Sequence, residues 1–524
     1  MLRVCWLLVV ALALPACGNG KNKSDETSGE KTVGGETAPQ PVETLPPKPL
    51  GVESPRTFNF KWGKGRKLYE AAREKGKGDS ADWGAVIDGC KQALDKDANH
   101  LAAHFLLGIA YANTDKPSEA VEHLSTALAG DWLQWGPTLQ EDGRLDKFFE
   151  TDKGKALVAL NSAYGVSLAK SAAAGLLVVA KRSGWKLPAK DGKQYAASRA
   201  ELYSYSLETK RYLRLTHTGD AVVGYIESPS KDRIAYLWTT QFRINPGGDS
   251  PFVKPRVGVL DATTFQQIGK SARLKTDAVE LMLFYGAGEE LQLQTVDPNN
   301  LYSVDYDDGK LNESSGHQFA DFETLYELGQ VDREQPLLYA TMDMARVLQP
   351  WGAVTKPASD LIVTRFEVKG ANKMIRLPAN GGKKIRRVTV SPNGSHVTFV
   401  GVGNGCAAEY ESALYIAEAR VGRPKHVHRG KGLHGVRWID DNRFAFEADT
   451  GEIRLYDVAA GKTTDKIKNR AGIALTAVSN LIPFEHCPQP VKPPFEDESM
   501  IEDAEGIEDG DVEEAEFDDS EFGD

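Results

Sequence analysis

The stretch EIRLYDVAAGKTTDKI, residues 452–467, opens with alternating polar and apolar positions, breaks at Asp457–Gly461, and returns in a second β-branched run. A period of two marks a half-buried strand, and Asp and Gly in the break are turn chemistry, so the segment reads as strand, turn and returning strand. The unit recurs as ELYSYSLETKRYLRLT from Glu201, RVGVLDATTFQQIGKS from Arg256 and NLYSVDYDDGKLNESS from Asn300. Further copies are DLIVTRFEVKGANKMIRL from Asp360 and ALYIAEARVGRPKHVH from Ala413. A second phrase, a turn followed by a strongly apolar strand, lies between some copies: SPSKDRIAYLW from Ser228, SPNGSHVTFVG from Ser391 and WIDDNRFAFEA from Trp438. Internal repetition of this kind means one structural unit used many times. The second half of the chain is all-β.

Together the two phrases resemble the blades of TolB-type and WD-type β-propellers, where a Ser-Pro-(Asn/Asp)-Gly phrase leads into an inner strand; SPNGSHVTFVG carries the resemblance best. A four-stranded blade cannot bury both faces alone, whereas a ring of blades can. The resemblance implies a propeller of six or seven blades over residues 195–487. Separate β-sandwiches are the rival architecture.

Upstream the period is helical. LAAHFLLGIAYANTDKPSEAVEHLSTALAGD, beginning at Leu101, resembles a tetratricopeptide repeat (TPR). Leu107, Gly108 and Tyr111 fall at the family's spacing on a first helix, and Ala120, Leu124 and Ala127 on a second. Small residues at Gly108 and Ala120 let two helices approach, while Leu107 and Leu124 fill the seam. Asn113, Thr114 and Asp115 supply the turn and Pro117 opens the next helix. GRKLYEAAREKGKG and ADWGAVIDGCKQALDKDANH look like the helices of an earlier repeat, with Val86, Cys90 and Ala93 facing inward. Two repeats are few, so residues 131–180 are expected to add capping helices, with a strand at Leu176–Ala180. The helical module is assigned to 58–185. The fold class is therefore α+β multidomain: an N-terminal TPR-like helical module, then an all-β propeller.

The chain begins MLRVCWLLVVALALPACGNG. Arg3 precedes an apolar run too short to span a bilayer, the layout of a secretion signal. Leu14-Pro15-Ala16-Cys17 resembles the lipobox of bacterial lipoproteins, although Pro15 is unusual there. The resemblance implies a signal peptide over 1–16 and acyl chains on Cys17, a stable anchor when several chains are present. Gly18 after the cysteine suggests the outer membrane by the same likeness. A soluble periplasmic protein is the alternative. Residues 17–57, rich in Gly, Ser, Thr, Lys, Glu and Pro, lack the apolar surface to offset ordering entropy and are expected to be a disordered tether.

The remaining features concern chemistry. Of five cysteines, Cys90 reads as a buried thiol, and Cys406 and Cys487 remain as a possible disulfide, the separation of their Cα atoms being unknown from sequence. Gly461-Lys462-Thr463 ends like a phosphate loop but lacks the earlier glycine, Tyr456 standing in its place. Asp305, Asp307 and Asp308 before Gly309 fit a hairpin turn better than a calcium loop. His426, His428 and His434 have no carboxylate or cysteine at metal-ligand spacing. No catalytic site, metal or other cofactor is expected, and the chain is not read as an enzyme. Net charge is −11, yet residues 496–524 hold sixteen acidic residues and no basic one, leaving the body mildly basic. Residues 488–524 are expected to be a disordered acidic tail. The expected function is a lipid-anchored envelope scaffold that binds other envelope proteins or peptides, touches the membrane only through its anchor, and binds no nucleic acid. The alternative is a propeller that holds a small ligand, glycan or metal at its central channel.

Overall fold

In the computed structural model, residues 44–475 are described with interruptions, the longest being 315–336, 403–410 and 245–251. Cys17, Cys406, Cys487, the leader and the acidic tail lie outside the described residues. The helical part runs α1 (Arg66–Lys75), α2 (Trp83–Lys96), α3 (Leu101–Ala112), α4 (Pro117–Gly130), α5 (Trp132–Glu141), α6 (Asp146–Phe149) and α7 (Asp152–Ala173). Local chemistry sets its starts. The Asp82 carboxylate accepts the Ala85 amide at 3.0 Å, Thr151 Oγ1 accepts that of Gly154 at 3.0 Å, and Pro117 occupies the first turn of α4. α3 is buried on nearly every side, as its uniformly apolar sequence requires. Helix pairs approach closely through glycine. A Cβ on Gly108 would lie 2.5 Å from Leu124 Cγ, and one on Gly89 would lie 2.8 Å from Ala72 Cβ.

The strands that follow form a 9-stranded sheet, three 4-stranded sheets and one 5-stranded sheet. The first contains β1 (Leu176–Lys190), β2 (Lys193–Tyr205), β3 (Tyr212–Arg214), β4 (Ala221–Glu227), β5 (Arg233–Thr239), β6 (Phe242–Ile244), β7 (Arg256–Asp261) and β8 (Ala272–Arg273). Next come β9 (Glu280–Tyr285), β10 (Leu291–Val296), β11 (Asn300–Asp305) and β12 (Lys310–Glu313). The third sheet has β13 (Leu337–Ala340), β14 (Arg346–Gln349), β15 (Gly352–Thr355), β16 (Leu361–Phe366) and β17 (Asn372–Leu377). The fourth is β18 (Lys384–Val390), β19 (His396–Val402), β20 (Glu411–Glu418) and β21 (Lys425–Lys431). The last is β22 (His434–Asp440), β23 (Arg443–Glu447), β24 (Glu452–Asp457) and β25 (Lys462–Lys468). A short strand, β26 (Ile473–Ala474), then joins the first sheet by pairing with β1. The fold is thus an N-terminal helical region followed by β-sheets.

The repeated phrases share one local geometry. In four copies the sixth residue is an Asp or Ser whose side chain accepts the amide three residues on: Ser206 from Thr209 at 3.0 Å, Asp261 from Thr264 at 2.6 Å, Asp305 from Asp308 at 3.0 Å, and Asp457 from Ala460 at 2.7 Å. Each turn then closes through a tenth residue of positive φ, Lys210 (57°), Phe265 (58°), Gly309 (70°) or Gly461 (64°). The Ser-Pro phrases agree as well. Ser228 Oγ accepts the Arg233 amide, and Ser391 Oγ that of His396, each at 3.0 Å. The serine amides donate back to the same residues' carbonyls, each at 2.9 Å.

Apolar faces of consecutive sheets meet. Leu237 and Val257 cluster with Leu281 and Leu293, and Leu414 and Ile416 with Phe444 and Phe446. The helices share a core with β2, β3 and the last sheet, where Leu107 and Leu124 belong with Tyr203, Tyr212 and Ile453. Everything described belongs to one unit, Glu43–Asp524.

Two boundaries differ from the sequence reading. The first strand opens at Leu176, where the sequence reading places one, but it runs on to Lys190 and returns as β2 from Lys193, crossing the limit of 185 given to the helical module. Residues 44–57 fall within the range 17–57 read as a disordered tether, yet Gly51 and Val52 there are packed, as is Phe58 just beyond. The Gly51 amide donates to the Ala129 carbonyl at 2.7 Å, Val52 and Tyr212 exchange amide bonds of 2.9 and 2.7 Å, and Val52 and Phe58 are buried. Four prolines in this stretch have no N–H to satisfy, so a segment of low apolar content can lie on a surface with few backbone partners.

Two glycines separate steric from conformational demands. Gly108→Val is expected to lower stability by about 1–3 kcal/mol through overpacking against Leu124. Gly461→Ala, where a Cβ meets nothing within 4 Å, is expected to lose about 1–2 kcal/mol from its left-handed backbone alone. Denaturant unfolding of both against Ser118→Ala, on the exposed side of α4, checks this; midpoints equal to that control would refute it.

Candidate functional site

Where helices meet sheet, charge is buried. Asp131 caps the end of α4 and the start of α5, which fixes its carboxylate at the boundary. It accepts from His217 Nε2 at 2.9 Å and lies 3.6 Å from an Arg214 nitrogen. Arg214, at the end of β3, also donates to Glu201 of β2 at 3.0 Å and to the Thr216 carbonyl at 2.9 Å. Glu201 is satisfied further by Thr216 Oγ1 at 2.5 Å and the Gly219 amide at 2.9 Å. Burial alone would lower the Arg214 pKa, but Glu201 and Asp131 more than reverse this and the guanidinium is held above its ordinary value. Every group is engaged by another, so the cluster joins elements rather than presenting a reactive atom.

A second polar cluster lies between the first and last sheets. Arg437 of β22 pairs with Glu227 of β4, donates to Tyr225 Oη at 3.0 Å, and covers the Tyr225 ring at 5.2 Å. Tyr225 Oη in turn lies 3.0 Å from the carbonyls of Leu177 and Leu475, and the Leu475 amide donates to Glu447. Burial pushes the Tyr225 hydroxyl up to about 12. These groups also satisfy one another. A ligand seated here would have to displace an existing ion pair.

The helical face offers a different arrangement. His104 of α3 and His123 of α4 place their Nδ1 atoms 2.9 Å apart, so one carries the proton and the other accepts it. His104 Nε2 lies 3.1 Å from the Ala98 carbonyl, and Tyr111 stacks on His123 at 5.6 Å. Lys91 and Lys116 sit 5.8 and 5.6 Å from the Tyr111 ring centre. Beside the pair, Lys48 contacts Glu122 at 2.7 Å and Thr126 at 2.6 Å. Burial, then His104, lowers the His123 pKa to about 4. His104 is lowered too, chiefly by burial.

The repeat-signature residues Leu107, Gly108, Tyr111, Ala120, Leu124 and Ala127 come together, all buried, at the α3–α4 seam. Cys90 is a free buried thiol, and burial raises its pKa to about 12. Gly461-Lys462-Thr463 and Asp305–Gly309 both lie in hairpin turns, between β24 and β25 and between β11 and β12. His426 is opposite Tyr415 and His428 opposite Leu414, on either side of a bulge. Among the described residues no three His, Cys, Asp or Glu are grouped to hold a metal ion, and no helix is long and apolar enough to cross a membrane. The junction charges and the histidine pair were not singled out from sequence. A lone Glu opening the apolar run from Glu201 is the one sequence signal that could have pointed to the first.

No family model matches the chain, and no curated protein does. Among solved structures it is similar to TolB from Acinetobacter baumannii, at 12% identity over 61% of this chain and 70% of that one, with a TM-score of 0.34. It is also similar to the tricorn protease, at 10% identity over 57% of this chain and 26% of that one, with a TM-score of 0.31. A putative 6-phosphogluconolactonase from Bacteroides uniformis is 11% identical over 57% of this chain and 99% of that one, with a TM-score of 0.34.

The histidine pair makes stability pH-dependent. Because the His123 pKa falls from 6.5 to about 4 on folding, the unfolded chain binds the extra proton between those values. Its contribution is complete above pH 6.5 and is lost as pH falls towards 4. His123→Gln is expected to flatten the dependence of melting temperature on pH across that window. Equal slopes for the two proteins would refute this assignment.

Proposed function

We propose that the chain is a cell-envelope interaction protein that presents two surfaces, a TPR-like helical module and a six-bladed propeller, held to the membrane by acylated Cys17. The pairing of β26 with β1 carries this reading, since among the described residues the last strand joins the sheet that the first strand begins. Other contacts support it: β4 packs on β9, the first strand of the next sheet, β18 packs on β22, and Arg437 ties β22 back to β4. Counting the 9-stranded sheet as two blades gives six. Such a ring buries blade faces against each other and leaves rigid edges and loops for recognition.

Recognition without catalysis fits the way the two buried charge clusters are closed by their own partners. On the helices, Lys91 and Lys116 beside Tyr111 suit a peptide that brings a carboxylate next to an apolar side chain. Partners would be other envelope proteins, with the lipid anchor restricting the search to the membrane surface.

The test is an affinity pull-down from crosslinked cells with the intact protein and with Lys91→Glu/Lys116→Glu. Recovery of specific partners by the first, reduced at least tenfold in the second, is the expected result. In parallel, Cys17→Ser should abolish fatty-acid labelling. The same proteins recovered by both forms, or labelling retained by Cys17→Ser, would overturn the corresponding part.

A further inference from the structure

The last two sheets end in basic strands. β21 pairs only with β20 and β25 only with β24 among the described residues, so each is the outer strand of its sheet. β21 reads KHVHRGK and β25 reads KTTDKIK. The side chains of Lys425, His426 and Arg429 on the first are exposed, as are those of Lys462 and Lys466 on the second. Asp465 pairs with Lys210 at 2.5 Å, and Lys466 with Glu452 at 3.4 Å. In the ladder Lys466 stands opposite Arg454, and like charges across a strand pair repel.

The same chain carries a segment of opposite sign, the sixteen acidic residues within 496–524. Where that segment starts is constrained by the fold. Leu475 is tied to Glu447 on β23 and by its carbonyl to Tyr225. β25 is two strands from β23 in the same sheet, about 10 Å at ordinary strand spacing. Residues 476–495 intervene, and twenty residues can span up to about 70 Å. A chain of that length can reach β25, and β21 on the neighbouring sheet is also within range.

We propose that residues 496–524 bind in cis along the basic outer strands β25 and β21, covering edges that would otherwise pair with another chain. Exposed strand edges template association, and lysines on the edge are one way of blunting it. An acidic segment of the same chain adds a second, salt-sensitive cover. An external polyanion or basic-surface partner would then compete with it.

Zero-length carbodiimide coupling of carboxylates to lysines, applied to an equal mixture of isotope-labelled and unlabelled full-length protein, tests this. Expected are crosslinks from 496–524 concentrated on Lys462, Lys466 and Lys425, joining peptides of one isotope only, and reduced severalfold in high salt. Lys425→Glu/Lys462→Glu should lower coupling at the untouched Lys466 at least fivefold while circular dichroism stays unchanged. Coupling spread evenly to helical lysines such as Lys75 and Lys96, concentrated on Lys91 and Lys116, or occurring between isotopes would overturn the proposal. So would Lys466 coupling unaffected by the double substitution.

Discussion

Two carboxylates, Asp131 and Glu201, are buried where the helices meet the first sheet, and Arg214 stands between them. Removing charge from water is expensive, and attraction offsets it only when geometry and additional hydrogen bonds are good. Here the additional donors come from one loop between β3 and β4: Thr216 and Gly219 serve Glu201, and His217 reaches Asp131 at the helix boundary. Asp131, at the end of α4, meets His217 and Arg214 only when the helix and β3 are both in place. The helical region and the first sheet consequently share a polar junction as well as an apolar core.

The β part works by repetition of a turn rather than of a sequence. The sixth and tenth positions of four copies agree in hydrogen bonding and backbone sign although their residues vary, from Asp to Ser and from Gly to Phe and Lys. A non-glycine residue in the left-handed region is strained. Lys210 and Phe265 hold that conformation because the strands on either side dictate it. Local strain of this kind is tolerated when each sheet also buries a face against its neighbour, as β20 does with β23.

This distinction explains what could be read beforehand. Helices were legible because Leu107, Gly108 and Leu124 are spaced by contacts along and between helices, which the sequence records directly. Hairpins were legible through Asp457 and Gly461, whose chemistry is local. The packing of Val52 and Phe58 was not, since scattered apolar residues among prolines have meaning only against Tyr212 and Tyr203. The His104–His123 contact spans two helices and has no periodic signature. Arg437 and Glu227 are 210 residues apart in the chain, so their pairing depends on the order of whole sheets rather than on any nearby pattern.

The strap at Gly51–Val52 touches both halves of the structure, bonding to Ala129 at the end of α4 and to Tyr212 on β3. Mechanically this is a yoke. Tension entering from the N-terminal side meets the Lys48 contacts with α4 and α7 first, and then passes at adjacent residues to the end of α4 and to β3. Helix and sheet are thereby loaded through neighbouring residues of one short segment.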